Sequence, residues 1–246
     1  MNEINLQRLK RGWNRLNLVK RISVPFSLKN PVYVFHHIPK CGGTSLIKIL
    51  NKWFIVVHDY RKDWSNSHRS PINIKKLRST HCLAGHWELP EVYLKERYPE
   101  VFYDDRYKVF TFLRDPLEHS LSLYRYEKEN NQTDITDIEE HFTIRPNYIA
   151  TILNADEKNY KEIIDRYFFV GILERMDKSI TILSNLIRKK HYKIPWINKT
   201  KLDSNTNSEK LSKPKIDKFK EINKVDYLIY NYALKKLNAM INDPKY

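Results

Sequence analysis

Glycine is scarce, with 5 residues in 246. That excludes a collagen-like or glycine-rich disordered chain. It also makes the adjacent pair Gly42 and Gly43 informative. There are two cysteines, Cys41 and Cys82, too few for a disulfide scaffold. They point to a reducing compartment, although the spacing alone leaves a bridge between them open. No run of 18 apolar residues occurs, so no transmembrane helix is expected. Residues 1–30 lack the uninterrupted apolar stretch of a secretory signal. No C-x-x-C or H-E-x-x-H spacing appears among the nine histidines and two cysteines, so no metal is expected. Acidic residues are also short: 29 Asp and Glu stand against 44 Lys and Arg, a net charge of +15. Such a charge draws polyanions, whether nucleic acid, anionic lipid, phosphorylated cofactors or acidic glycans.

What is present suits a packed domain. Hydrophobic residues make up 41% and aromatics 13%. The length and the lack of a linker predict one domain over residues 31–246, preceded by a basic amphipathic segment at 1–30. In that segment Leu6, Leu9, Trp13, Leu16 and Val19 recur at helical spacing among Arg8, Lys10, Arg11, Arg15, Lys20 and Arg21. Either a surface helix or an interfacial helix on an anionic membrane fits this pattern.

Short apolar runs predict strands at Pro31–His37, Phe54–His58, Cys82–His86, Tyr107–Leu113 and Tyr167–Ile172. Helical periodicity predicts helices at Thr44–Trp53, Pro90–Tyr98, Pro116 to about Glu129, Glu174–Lys189 and Glu221–Met240, with helical pieces across 133–166. Residues 191–215 read as polar and flexible. Strands alternating with helices imply an α/β fold with a parallel sheet flanked by helices.

The strongest local signal is the junction Pro39-Lys40-Cys41-Gly42-Gly43-Thr44-Ser45 between the first strand and the first helix. Two glycines allow close approach of an oxyanion to the backbone. The helix start offers unpaired N–H groups and a positive dipole end. Lys40 adds a mobile charge, Thr44 and Ser45 add hydroxyls, and Cys41 adds a backbone N–H. A plain strand–turn–helix junction with a capping Thr or Ser is the alternative. The order is not that of the standard triphosphatase loop, in which lysine follows the second glycine.

A second anion site is expected where the strand Tyr107–Leu113 delivers Arg114 at its carboxyl end, followed by Asp115 and Pro116 opening a helix. Arg114 can fork onto a phosphate, and Ser122, about two helical turns on, can add a hydrogen bond.

Taken together, these motifs resemble the sulfotransferase superfamily. HIPKCGGTSL (His37–Leu46) resembles its loop for the 5′-phosphosulfate, a P-loop-like turn, and FLRDPLEHSLSLY (Phe112–Tyr124) its 3′-phosphate site. The carbohydrate branch related to heparan-sulfate 2-O-sulfotransferases and bacterial relatives is the nearest in pattern. Gly85-His86, the Asn147–Thr151 segment, Phe169–Leu183, Asn198-Lys199-Thr200 and Asp226-x-x-x-Tyr230 are looser matches to that branch. One departure is His119, where the family often has a basic residue.

The resemblance implies a donor, 3′-phosphoadenosine 5′-phosphosulfate (PAPS), whose sulfuryl group moves to a hydroxyl and leaves PAP. It implies that Lys40, Cys41, Gly42, Gly43, Thr44 and Ser45 hold the 5′ end, and Arg114 and Ser122 the 3′-phosphate. Lys40 would stabilise charge on the leaving oxygen. For the base, His86 is the expectation and Glu88 the runner-up. His36 and His37 read as core or supporting residues. A glycan or polysaccharide acceptor is implied by the branch and the charge, with Trp53, Trp64, Trp87 and Trp196 as stacking candidates. Tyr148 and Asn147 are candidates for the acceptor cleft. No specific nucleic acid is expected, and the setting is cytoplasmic, with peripheral membrane contact left to residues 1–30. Two other classes stay open: a kinase or other phosphotransferase, and a non-catalytic polyanion binder.

Overall fold

The computed structural model describes residues 31–59, 70–90, 92–193 and 211–245. Five strands form one sheet: β1 (Val32–His36), β2 (Ile55–Asp59), β3 (His81–Gly85), β4 (Tyr107–Leu113) and β5 (Phe169–Ile172). Their spatial order is β2-β3-β1-β4-β5, and every neighbouring pair is parallel. The flanking helices are α1 (Gly43–Trp53), α2 (Leu94–Arg97), α3 (Pro116–Glu129), α4 (Ile138–Ile144), α5 (Tyr148–Leu153), α6 (Tyr160–Asp165), α7 (Met176–Leu186), α8 (Lys213–Ile222) and α9 (Lys224–Asn242). The expected α/β class with a parallel sheet is therefore what the chain adopts.

Burial explains which strands were legible. β1 is buried at every position and β4 at all but Lys108. Both lie inside the sheet with helices on each face, so they read as unbroken apolar runs rather than alternating ones. The edge strand β2 is half open along most of its length.

Several helix bounds differ from the expected ones. The helix expected at Pro90–Tyr98 is the single turn α2. Tyr98 precedes Pro99, which disfavours the helical region, and the chain leaves it there at φ −139° and ψ 64°. The long helix expected from Glu174 starts as a 3-10 turn at Leu173–Arg175 and ends at Leu186. The closing helix is broken at Asn223, whose side chain donates to the Phe219 carbonyl (3.0 Å) and accepts from the Asn147 N–H (2.9 Å). The stretch expected to be flexible up to 215 already contains the start of α8 at Lys213. The basic segment 1–30, Trp64, Trp196 and Asn198-Lys199-Thr200 lie outside the described residues.

Asp59 anchors the sheet edge. Its carboxylate accepts from Arg97 Nε (2.7 Å) and Nη2 (3.0 Å), from Trp87 Nε1 (3.0 Å) and from Tyr98 Oη (2.8 Å). Burial opposes its ionisation, but the bonds from Arg97, Trp87 and Tyr98 outweigh that and hold its pKa below the usual carboxylate value. Asp59→Ala would remove the carboxylate paired with the Arg97 guanidinium, only 5% exposed. We expect a loss of about 3–5 kcal/mol in urea denaturation, the scale for breaking one side of a buried ion pair.

The strand order also places the functional edge. From β1 the chain runs toward β2 and β3, and from β4 it runs toward β5. The connections diverge between the carboxyl ends of β1 and β4, which is where open parallel sheets leave a crevice for ligands. The register is tight there: His36 lies opposite Thr111, and the Thr111 hydroxyl donates to the His36 carbonyl at 2.7 Å.

Candidate functional site

The turn after β1 fills one wall of that crevice. Lys40 has φ 60° and Gly42 φ 81°, so the chain reverses through two left-handed residues. α1 starts at Gly43, with Gly42 as the capping residue and no side-chain cap bond. The capping alternative raised by Thr44 and Ser45 is therefore not what the structure adopts. Glycine at the cap supplies no side-chain acceptor to the first-turn N–H groups of α1. Thr44 is exposed and Ser45 is 7% exposed.

The glycines also make room for the protein's own side chains. A Cβ on Gly42 would lie 2.6 Å from Met176 Cε and 2.7 Å from Leu173 Cδ1. A Cβ on Gly43 would lie 1.6 Å from His37 Nε2. Both positions are filled by the protein's own side chains, so the absent methyls let α7 and β1 close on the turn.

The second wall is α3. Asp115 caps it, accepting from the N–H of Leu117 (3.0 Å) and Glu118 (3.1 Å). Its own N–H donates to Glu174 Oε1 (2.9 Å), and Glu174 Oε2 accepts from Tyr230 Oη (3.1 Å). The peptide after Arg114 is thereby fixed by two later elements. Arg114 Nη1 donates to the Lys40 carbonyl at 3.4 Å, and Nη2 lies 3.5 Å from Glu118 Oε2. The two sequence motifs thus meet in one crevice.

Ser122 is 5% exposed and lies on the α3 stripe shared by His119 and Tyr126. Both of those neighbours touch the turn. His119 Nε2 donates to the Pro39 carbonyl at 3.0 Å, and Lys40 Nζ stands 4.2 Å from the Tyr126 ring centre. Burial holds His119 neutral, its pKa pushed down to about 3. The departure from the family pattern therefore supplies a neutral strut, not a charge. Burial also lowers the pKa of Lys40, and Arg114 and Arg125 add to this against the pull of Glu129. Three cations around one turn favour the arrival of an anion.

The third element is the segment after β3. His86 Nδ1 lies 2.9 Å from Glu88 Oε1, and the Tyr148 hydroxyl donates to Glu88 Oε2. The two base candidates are thus parts of one chain of hydrogen bonds. A carboxylate on Nδ1 selects the tautomer with its proton there, leaving Nε2 as the accepting atom. Tyr148 is set by its helix: α5 starts where Asp226 accepts from the N–H of Ile149 (3.1 Å) and Ala150 (2.7 Å). The Asn147 side chain donates to the Ile222 carbonyl (3.0 Å) and accepts from the Val225 N–H (2.9 Å). Burial raises the Asp226 pKa to about 7, although both N–H bonds oppose this.

All eight residues expected to hold the nucleotide, and His86, lie at the carboxyl edge of the sheet around β1, β3 and β4. Trp87 and Trp53 are 1% and 6% exposed, so neither offers a face to a sugar. Cys41 and Cys82 are free, buried thiols whose pKa burial pushes up. Among the described residues no group of three or more His, Cys, Asp or Glu is placed to hold a metal. Arg125, Tyr126 and Glu174 were not singled out for the site. The first two were within reach of the helical period, three and four residues after Ser122. Glu174 had no signal beyond its place in the looser match.

No family description and no curated protein matches the chain. Among solved structures it is similar to a sulfotransferase from Alicyclobacillus acidocaldarius, at 12% identity and TM-score 0.47, over 82% of this chain and 97% of that one. It is also similar to mouse sulfotransferase SULT7A1 complexed with PAP, at 14% identity and TM-score 0.44, over 68% of this chain and 62% of the mouse one. The chain thus spans less than two thirds of the mouse protein's length. These likenesses concern the path of the backbone alone.

Proposed function

We propose that the chain is a sulfotransferase that moves the sulfuryl group of PAPS to a hydroxyl, and that the acceptor is a carbohydrate. The observation that carries this reading is the bond from Arg114 to the Lys40 carbonyl, which joins two anion-binding motifs at the switch point of a parallel sheet. A single phosphate site needs one such motif. A nucleotide with phosphates at both its 3′ and 5′ ends needs two.

The residues fit the donor. The uncapped N-terminus of α1 and Lys40 take the 5′ end, with Ser45 and Thr44 beside it, while Arg114 and Ser122 take the 3′-phosphate. The reaction is an in-line displacement. The acceptor oxygen forms a bond to sulfur as the bond from sulfur to the bridging oxygen breaks. The hydroxyl proton passes to His86, and Lys40 stabilises the charge left on PAP. Sulfuryl transfer of this kind needs no metal. The net charge of +15 supports an acidic glycan as acceptor. The two free thiols support a reducing, cytoplasmic setting.

Thermal-shift titration with PAP, AMP, ATP–Mg²⁺ and heparin tests the reading. PAP is expected to stabilise the protein well beyond AMP, and Arg114→Ala is expected to erase that difference while the fold persists. Equal shifts from PAP and AMP sink the proposal. A larger response to ATP–Mg²⁺ would favour a phosphotransferase. Heparin binding that falls steeply with salt, without PAP preference, would favour a polyanion binder.

A further inference from the structure

His37 follows β1 directly, and the structure puts it between the two halves of the candidate site. Its backbone N–H donates to the Gly85 carbonyl at 3.0 Å, continuing the β1–β3 ladder by one residue so that His37 and His86 become neighbours. The two imidazole rings are 4.1 Å apart at their centres and tilted by 53°. On its other side the His37 ring stacks on Phe35, centres 5.2 Å apart and planes within 15°. Its Nε2 edge abuts Gly43, where even a methyl would collide with it. One ring thus touches the putting-together point of three elements: the core of the sheet, the start of α1 and the segment bearing the base.

We propose that His37 is a positioning residue for the transfer step, a rigid spacer that sets the His86 ring at a fixed distance from the helix end that grips the leaving phosphate. The proposal rests on the sulfotransferase reading above. Glu88 meets His86 at its Nδ1 edge, and His37 lies against the ring itself, centres 4.1 Å apart. Displacement in line demands acceptor oxygen, sulfur and leaving oxygen on one axis, with base and cation at opposite ends. A misplacement of 1 Å in such a constellation costs roughly a hundredfold in rate.

The spacer must stay uncharged to lie against His86. Burial lowers its pKa well below the ordinary imidazole value, and His86, His36 and His58 all add to this. The other ionisable groups around the pair are Glu88 on the segment after β3 and Tyr148 on α5.

Imidazole ¹⁵N NMR of the full chain and of His37→Phe and His37→Gln, with His86→Gln for assignment, tests this. In the unmodified chain His86 is expected to show one neutral tautomer, protonated on Nδ1. In His37→Phe that single form is expected to give way to a mixture, and His37→Gln, which keeps a polar atom toward Gly43, should retain part of it. The PAP-induced thermal shift should stay within about twofold in affinity for both variants. An unchanged His86 spectrum in the variants would mean that His37 does not hold the ring, and the proposal falls. Lost PAP binding in a folded variant would mean that His37 serves the loop rather than the base, which also overturns it. Should His37→Phe not fold, His37→Gln decides. If the unmodified chain does not respond to PAP, the nucleotide reading fails by itself, and the His86 spectra without PAP still decide the role of His37.

Discussion

Lys40→Ala is expected to slow sulfuryl transfer by ~10²–10³-fold, the scale for removing one charge-stabilising donor from a developing anion. The loss should fall mainly on the chemical step, read as single-turnover transfer of labelled sulfate from PAPS into a glycan mixture. PAP affinity should drop far less, because Arg114 and the start of α1 remain. The backbone at this position allows a sharper version. Lys40 holds φ 60° with a side chain in place, a conformation that costs a non-glycine residue roughly 1–2 kcal/mol. Lys40→Gly removes the ammonium and relieves that cost together. It is expected to melt higher than Lys40→Ala while losing the same rate. A glycine variant that retained transfer would show that the turn, not the ammonium, does the work. The ammonium rests over the Tyr126 ring of α3, 4.2 Å from its centre.

His86→Gln should lower the rate by ~10²–10⁴-fold, the usual range for a positioned general base. Glutamine keeps a polar atom in reach of Glu88 but cannot take a proton. Glu88→Gln should give a smaller defect than His86→Gln, since it removes the orienter and leaves the imidazole. If Glu88→Gln proved the more damaging of the two in a folded protein, the carboxylate would be the base and His86 its support. That ranking separates two residues joined by one 2.9 Å hydrogen bond, which geometry alone does not order.

How far the sequence carried these arguments depended on the range of each interaction. β1 and β4 were legible because burial on both faces leaves unbroken apolar runs in the chain. α3 was legible at both ends: Asp115 and Pro116 open it, and its stripe carries Ser122 on a regular period. The helix expected at Pro90–Tyr98 ends within one residue of that bound, where Pro99 restricts Tyr98, but it starts only at Leu94. The break at Asn223 went unseen because its cause lies in Asn147, some 76 residues earlier. The same holds at the site. The meeting of Arg114 and the Lys40 turn followed from both lying at carboxyl ends of strands. The contact of Tyr148 with Glu88 spans 60 residues and leaves no local trace. The crowding of Gly42 by Leu173 and Met176, far along the chain, was hidden for the same reason.

The clasp between α5 and α9 bears on how the protein comes into being. Tyr148 is oriented by a helix whose first N–H groups are held by Asp226, and Asn147 is fastened to residues 222–225. The Tyr148 hydroxyl that bonds Glu88 therefore has no complete seat until synthesis has passed the start of α9: a chain terminated before that point would lack both fastenings of α5.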